Sequence, residues 1–179
     1  GYPALSGSRF FNISPLHTMD LLTTDLCDAN EAAVRVVEPM FTSFGGKTAF
    51  HGQIATLRVF EDNSFVRKAL ESAGQGRVLV IDGGGSIRRA LVGDQLASLG
   101  LKNDWAGIVV NGCIRDSRAI AEMDIGVFAI DTHPMKTVKK NVGEADIVVS
   151  FGDVDFVPGE WIYADEDGVI VSKTAIHAA

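Results

Sequence analysis

A single α/β domain is predicted by three features of this sequence. Residues 77–82 read RVLVID, an apolar run of strand length that suits a strand buried on both faces. Helix and strand signals alternate around it. SFVRKALESAG (64–74) precedes it, with Asn63 as a good N-cap and Gly74 as a stop. After it, Asp94 can cap a helix from Gln95 to Leu99, with Gly100 near its end, before an apolar strand at residues 108–110. The C-terminal third changes character: residues 147–151, then Val154, Phe156, Trp161, Ile162 and residues 169–171 are short apolar runs. Asp153, Pro158-Gly159 and Asp167-Gly168 punctuate them, as expected for short antiparallel strands joined by turns.

The remaining elements follow in order. Residues 1–18 carry no acidic residue and no clear period, and lack a signal peptide's basic start and apolar core; they read as an expression leader, with the domain running over 19–179. Residues 20–34 predict a helix, with Thr23 or Thr24 as cap and Leu26, Ala29, Ala33 and Val34 at helical spacing. Phe44-Gly45-Gly46 is a turn, and residues 49–60 alternate as a strand in which Gly52 could mark a bulge. Gly83-Gly84-Gly85 is a tight exit from the buried strand. Residues 117–123 predict a helix, residues 127–130 a strand, and His133-Pro134 a break. Asp165-Glu166-Asp167 reads as a solvated acidic turn.

Composition narrows the function. The chain has 179 residues, 46% hydrophobic and 22% charged, enough for one domain with a real core. Its net charge of −7 and lack of a Lys/Arg tract disfavour direct nucleic-acid binding. Its apolar runs are too short to span a bilayer. Cys27 and Cys113 stand far apart with no CxxC, as expected of free thiols in a cytoplasmic protein. His17, His51, His133 and His177 lack zinc spacing, and His51 reads as structural. Gly46-Lys47-Thr48 lacks the leading glycine of a P-loop, and Gly83-Gly84-Gly85-Ser86 lacks the third glycine of a dinucleotide fingerprint.

The stretch with chemistry runs from Gly93 to Asp116. A helix of about eight residues covers ~12 Å. A returning strand of about five covers ~16 Å. The chain therefore comes back to the edge it left, bringing Arg115 and Asp116 to the start of the helix that Asp94 opens. Free backbone N–H groups there suit an anion. Arg115 adds a planar cationic fork for a carboxylate, and Asp116 a hard oxygen ligand for a cation.

Phe44-Gly45-Gly46, the VLVIDGGG of residues 78–85, residues 108–115, and Tyr163-Ala164-Asp165 with Gly168 together resemble the RraA family. That family includes the regulator of ribonuclease E activity and the related 4-hydroxy-4-methyl-2-oxoglutarate aldolases. The resemblance implies a swivelling β/β/α sandwich assembled as a trimer or a dimer of trimers. It also implies a role for the Asp-x20-Arg-Asp signature, which stands here as Asp94, Arg115 and Asp116. Backbone groups of Gly93, Asp94, Gln95 and Leu96 would hold the pyruvyl carboxylate of a small 2-oxo acid. Arg115 would contact a substrate oxygen, Asp116 would orient Mg²⁺ or Mn²⁺, and Asp94 would position a water. The implied activity is metal-dependent aldol cleavage with oxaloacetate decarboxylation beside it. Arg88-Arg89-Ala90-Leu91 and Asn103-Asp104-Trp105 resemble the regulator branch, so a non-catalytic partner of ribonuclease E is the alternative.

Overall fold

The computed structural model describes residues 21–178; the expected leader lies outside the described residues. The chain opens with α1 (Thr23–Ala29), β1 (Val34–Val36), β2 (Thr42–Ser43) and β3 (Phe50–Arg58). The alternating part follows as α2 (Ser64–Glu71), β4 (Val78–Asp82), β5 (Ala90–Val92), α3 (Asp94–Lys102), β6 (Gly107–Ile114), α4 (Ser117–Ile120) and β7 (Gly126–Thr132). Five short strands close it: β8 (Glu144–Ala145), β9 (Val149–Phe151), β10 (Val154–Phe156), β11 (Trp161–Asp165) and β12 (Gly168–Ser172).

Ten strands form one mixed sheet in the order β1-β12-β11-β3-β4-β6-β7-β2, with β5 added to β6 and β8 to β3; β9 and β10 pair separately. β3, β4, β6 and β7 are parallel neighbours, whereas β11, β12 and β1 join antiparallel. Side chains alternate across a strand, and the central strands use both faces. Leu79, Ile81, Ile108 and Val110 pack under Val66 and Leu70 of α2, Leu96 and Ala97 of α3, and Ile120 of α4. Val78, Val80 and Val109 point the other way, against Ile162, Val169 and Val171 of the antiparallel part and Phe156 of β10. The layers are thus helices, the parallel part of the sheet, and its antiparallel part with the β9-β10 pair, a single mixed α/β domain of the β/β/α kind. No helix among the described residues is long and apolar enough to cross a membrane.

Five local expectations are corrected. The first helix stops at Ala29 instead of reaching Val34, because Asn30 turns its amide onto the Leu26 carbonyl and Val34 pairs with Ser172. Neither Thr23 nor Thr24 caps it. Asp165 does so from 142 residues away, accepting the Thr23 N–H and hydroxyl, each at 2.7 Å. Asp165 is therefore no solvated turn residue: it is buried, and it also takes the Asp167 N–H at 2.9 Å. Gly52 makes no bulge; it pairs in register with Ile162, and a side chain there would strike the Gly76 carbonyl oxygen. The helix expected over 117–123 is a single turn ending at Ile120.

The start of α2 also works differently. Asn63 holds the cap position, but its amide donates to the Leu91 carbonyl at 3.2 Å and its oxygen accepts the Thr137 hydroxyl at 2.8 Å. Asp62 takes the helix-start donors: its Oδ1 accepts the Ser64 N–H at 2.9 Å and hydroxyl at 2.6 Å. Its Oδ2 accepts the N–H groups of Lys140 at 2.8 Å and Val142 at 3.2 Å. Burial pushes this carboxyl's pKa up, but the bonds from Ser64, Lys140 and Val142 outweigh it and hold the value at about 2. A depressed carboxylate stabilises the fold above its unfolded pKa, and that contribution disappears as pH falls from ~4 through ~2. Its size is on the order of 2 kcal/mol. Urea unfolding of wild type and Asp62→Asn should therefore differ clearly at pH 6, and the gap should narrow steadily as pH falls from ~4 towards ~2. A gap that does not narrow would remove the carboxylate's charge from the account.

Candidate active site

β5, α3 and β6 form a parallel crossover whose ends are tied together. β5 runs parallel to β6, pairing Ala90 with Cys113 and Val92 with Ile114. The Arg115 N–H then donates to the Val92 carbonyl at 2.9 Å, fixing the end of β6 beside the entry to α3. Asn103 and Asp104 make the turn between; Asp104 adopts φ +65°, a conformation short polar side chains tolerate. β6 is buried along its whole length, so the site stands on the interior of the molecule.

At that junction Asp116 Oδ2 accepts the Asp94 N–H at 3.1 Å, and Arg115 Nε lies 4.0 Å from the same oxygen. Asp116 itself sits at φ +57°. The three signature residues thus meet as the sequence spacing predicts. One detail differs: Gly93 is the cap residue and Asp94 the first helical one, so the Asp94 Oδ1 turns back onto the Gln95 N–H at 2.8 Å. Two of the donors expected for an anion, the Asp94 and Gln95 N–H groups, are thus shared with the chain's own carboxylates.

Gly93, Asp94, Gln95, Leu96, Arg115 and Asp116 all line one cavity of about 510 Å³, a size suited to a small molecule. Its opposite wall was not read from the sequence. Asn63 and Arg67 come from α2, and Lys136 and Lys139 from the loop joining β7 to β8. The available signal was the basic character of residues 136–140, which spacing alone does not connect to Arg115.

A divalent cation fits these donors. Asp116 Oδ2 is engaged with Asp94, while Oδ1 makes no hydrogen bond among the described residues and the side chain is 40% exposed. Among the described residues no three His, Cys, Asp or Glu side chains cluster as a metal cage. A single hard oxygen in a polar cavity suits Mg²⁺ or Mn²⁺ completed by water and substrate oxygens, and does not suit a closed zinc site.

Other candidates recede. Cys113 is fully buried in β6, and burial followed by Asp131 pushes its thiol pKa up, leaving it a packing residue. His51 stacks on Tyr163 at 5.5 Å, and its pKa is lowered by burial, then by His177 and Lys47. The Gly83 and Gly85 N–H groups donate to the Asn111 carbonyl and that of Gly84 to Asp82 Oδ1, so the glycine loop is a turn and no phosphate cradle.

The sequence profile of the RraA-like family, described as Aldolase/RraA, matches residues 23–171. The chain belongs to the RraA-like family. An RraA-like relative from Aromatoleum aromaticum is 63% identical over 158 residues, covering 88% of this chain and 99% of its own. One from Dechloromonas aromatica is 59% identical over 162 residues, with 88% and 99% covered. Both are named, provisionally, 4-hydroxy-4-methyl-2-oxoglutarate aldolase. A Geobacillus kaustophilus structure superposes with TM-score 0.85 at 49% identity, covering 87% of this chain and 96% of its own; its name is S-adenosylmethionine:2-dimethylmenaquinone methyltransferase. The RNA-processing inhibitor RraA from Thermus thermophilis superposes with TM-score 0.84 at 43% identity, covering 87% and 94%. One RraA-like fold thus carries three functional names, and the site has to choose among them.

Proposed function

We propose that this RraA-like chain is a divalent-metal-dependent aldolase that cleaves 4-hydroxy-4-methyl-2-oxoglutarate-type acids to pyruvate and decarboxylates oxaloacetate as a side reaction. The observation that carries the reading is the contact of Asp94, Arg115 and Asp116 at the mouth of α3. The provisional names of the high-identity relatives agree with it. The cavity's charge argues against the methyltransferase reading: Arg67, Arg115, Lys136 and Lys139 face two carboxylates, a poor setting for a sulfonium cation.

In the proposed reaction the 2-oxo acid's carboxylate lies at the start of α3, on the N–H groups of Gly93 to Leu96. The bond between C3 and C4 breaks as the C4 hydroxyl loses its proton. The bond's electron pair passes to the pyruvyl half as an enolate, C4 becomes a carbonyl, and C3 then takes up a proton to give pyruvate. Arg115 stabilises the developing enolate oxygen. Asp94, through a water, takes the hydroxyl proton and returns one to C3. A dication on Asp116 would supply Lewis-acid stabilisation of the same oxyanion. Loss of CO₂ from oxaloacetate generates the same enolate, which accounts for the side activity.

The test is pyruvate release from 4-hydroxy-4-methyl-2-oxoglutarate and oxaloacetate with Mg²⁺ or Mn²⁺, and its loss in excess EDTA. No metal-dependent release from any 2-oxo acid, together with tight binding and inhibition of ribonuclease E, would replace this reading with the regulator one. The similarity to the Thermus RNA-processing inhibitor makes that the alternative worth measuring. We also propose a trimer or dimer of trimers, to be checked by light scattering.

Gly93 supplies a sharper local test. Its φ of −118° suits any residue, but a Cβ there would stand 2.7 Å from Asp116 Oδ2. Gly93→Ala should fold normally yet push the Asp116 carboxylate aside. Misplacement of a reacting group by ~1 Å costs about 100-fold in rate. Unchanged kinetics and unchanged Mn²⁺ affinity would show that the contact is dispensable.

A further inference from the structure

Three cations in the cavity have no work in the chemistry described above. The 2-oxo acid head is accounted for by α3, Arg115 and Asp116, yet Arg67, Lys136 and Lys139 line the other side. They gather there on a chain whose net charge is −7. Arg67's ion pair is a loose one with Glu71 at 3.8 Å on the exposed flank of α2, of the kind that contributes little. Lys136 and Lys139 form no ion pair among the described residues. Asp94 and Asp116 lie on the Arg115 side of the same cavity, and three like charges gathered on the wall opposite repel one another, so their grouping points to an anion that they share.

The wall that carries them is built. Arg67 is one turn beyond Asn63, on the same face of α2. Asn63 has already committed its amide to Leu91 and Thr137, which leaves Arg67 as the next group along that face able to meet a ligand. The loop facing it is held by backbone and side-chain bonds. Ala90 N–H donates to the Met135 carbonyl at 2.8 Å, Thr137 bonds Asn63, and Asp62 holds the Lys140 and Val142 amides. Lys136 and Lys139 are therefore carried by an anchored segment.

We infer that Arg67, with Lys136 and Lys139 beside it, forms a second anion subsite that binds the far carboxylate of the substrate, and that Arg67 is the residue that sets selectivity for it. The inference rests on the aldolase reading and extends it. The leaving half keeps the far carboxylate throughout the cleavage, so Arg67 contributes to binding equally before and during reaction and takes no part in moving electrons. Arginine suits the role because its fork meets a carboxylate with two parallel bonds.

The experiment uses the full chain with Mg²⁺ and two uncleavable probes, 2-oxoglutarate and 2-oxobutyrate, which share the 2-oxo acid head but differ in the far carboxylate. Calorimetry should show wild type binding 2-oxoglutarate ~10- to 100-fold more tightly, the scale of a hydrogen bond to a charged group. Arg67→Gln should erase most of that gap while leaving 2-oxobutyrate affinity unchanged, and Arg67→Lys should restore part of it. In turnover of 4-hydroxy-4-methyl-2-oxoglutarate, Arg67→Gln should raise KM and leave kcat nearly intact. Arg118→Gln, which removes an exposed charge outside the cavity, should leave the gap in place and so separate local recognition from the general field. Equal affinities in wild type, or an unaltered gap in Arg67→Gln, would overturn the subsite. If wild type cleaves no 2-oxo acid but the gap still collapses with Arg67, the subsite stands and the aldolase reading falls. Cleavage with an unaltered gap is the reverse outcome.

Discussion

Asp116→Asn is expected to lower metal-dependent pyruvate formation by about 100-fold or more, on the several-kcal/mol scale of metal-ion catalysis, while the protein stays folded. Asn is among the few residues that accept the left-handed conformation found at position 116 (φ +57°). Its amide oxygen can still receive the Asp94 N–H that Asp116 Oδ2 receives at 3.1 Å. The fold should barely register the change. What disappears is the negative charge that, on the reading proposed above, would hold a hard dication, so high Mg²⁺ should restore part of the rate. Full activity at ordinary metal concentration would remove Asp116 from the metal site. A variant that also lost its unfolding transition would show the residue to be structural.

Arg115→Lys is the second large effect. The main-chain bond from residue 115 to the Val92 carbonyl is independent of the side chain, so the crossover should stay closed. Lysine keeps the charge but replaces a rigid planar fork by a single mobile ammonium. Loss of one oriented oxyanion donor costs ~2–4 kcal/mol. The change should fall on kcat and kcat/KM together, because the enolate oxygen gains its charge only as the bond breaks. That pattern differs from the KM effect expected at Arg67. Wild-type kinetics in Arg115→Lys would mean that this guanidinium only packs along Gly93.

Much of this was legible because local signals and tertiary structure agreed. The run at residues 77–82 is apolar on both faces because β4 lies between the helices and the antiparallel part of the sheet, and the strand that forms covers Val78–Asp82. The distance from Asp94 to Arg115 fixed a crossover, and crossover geometry alone carries the chain back. Where the sequence misled, a distant partner decided the outcome. Asp165 looks like a surface turn until Thr23 arrives across 142 residues of chain. β5 is a three-residue strand hidden between Arg88-Arg89 and Gly93-Asp94, and it exists because β6 offers an edge to it. The far wall of the cavity was invisible for the same reason: the start of α2 and the loop after β7 meet largely through side chains, those of Asp62, Asn63, Ser64 and Lys68 among them, and no periodicity reports such a meeting.

The Asp62 carboxylate bears on how this protein can change. The Arg115 side of the cavity is continuous with β6 and cannot shift without disturbing the sheet. The opposite side is a loop, and at its far end the Asp62 carboxylate grips the amides of Lys140 and Val142. In hydrogen-exchange measurements those two amides should lose protection together, ahead of β6 and as one opening unit. Substitutions or insertions between residues 133 and 139 would then re-cut the far wall while Arg115 and Asp116 keep their places. Divergence of substrate range can proceed on the loop while the C–C bond chemistry is inherited unaltered from the strand.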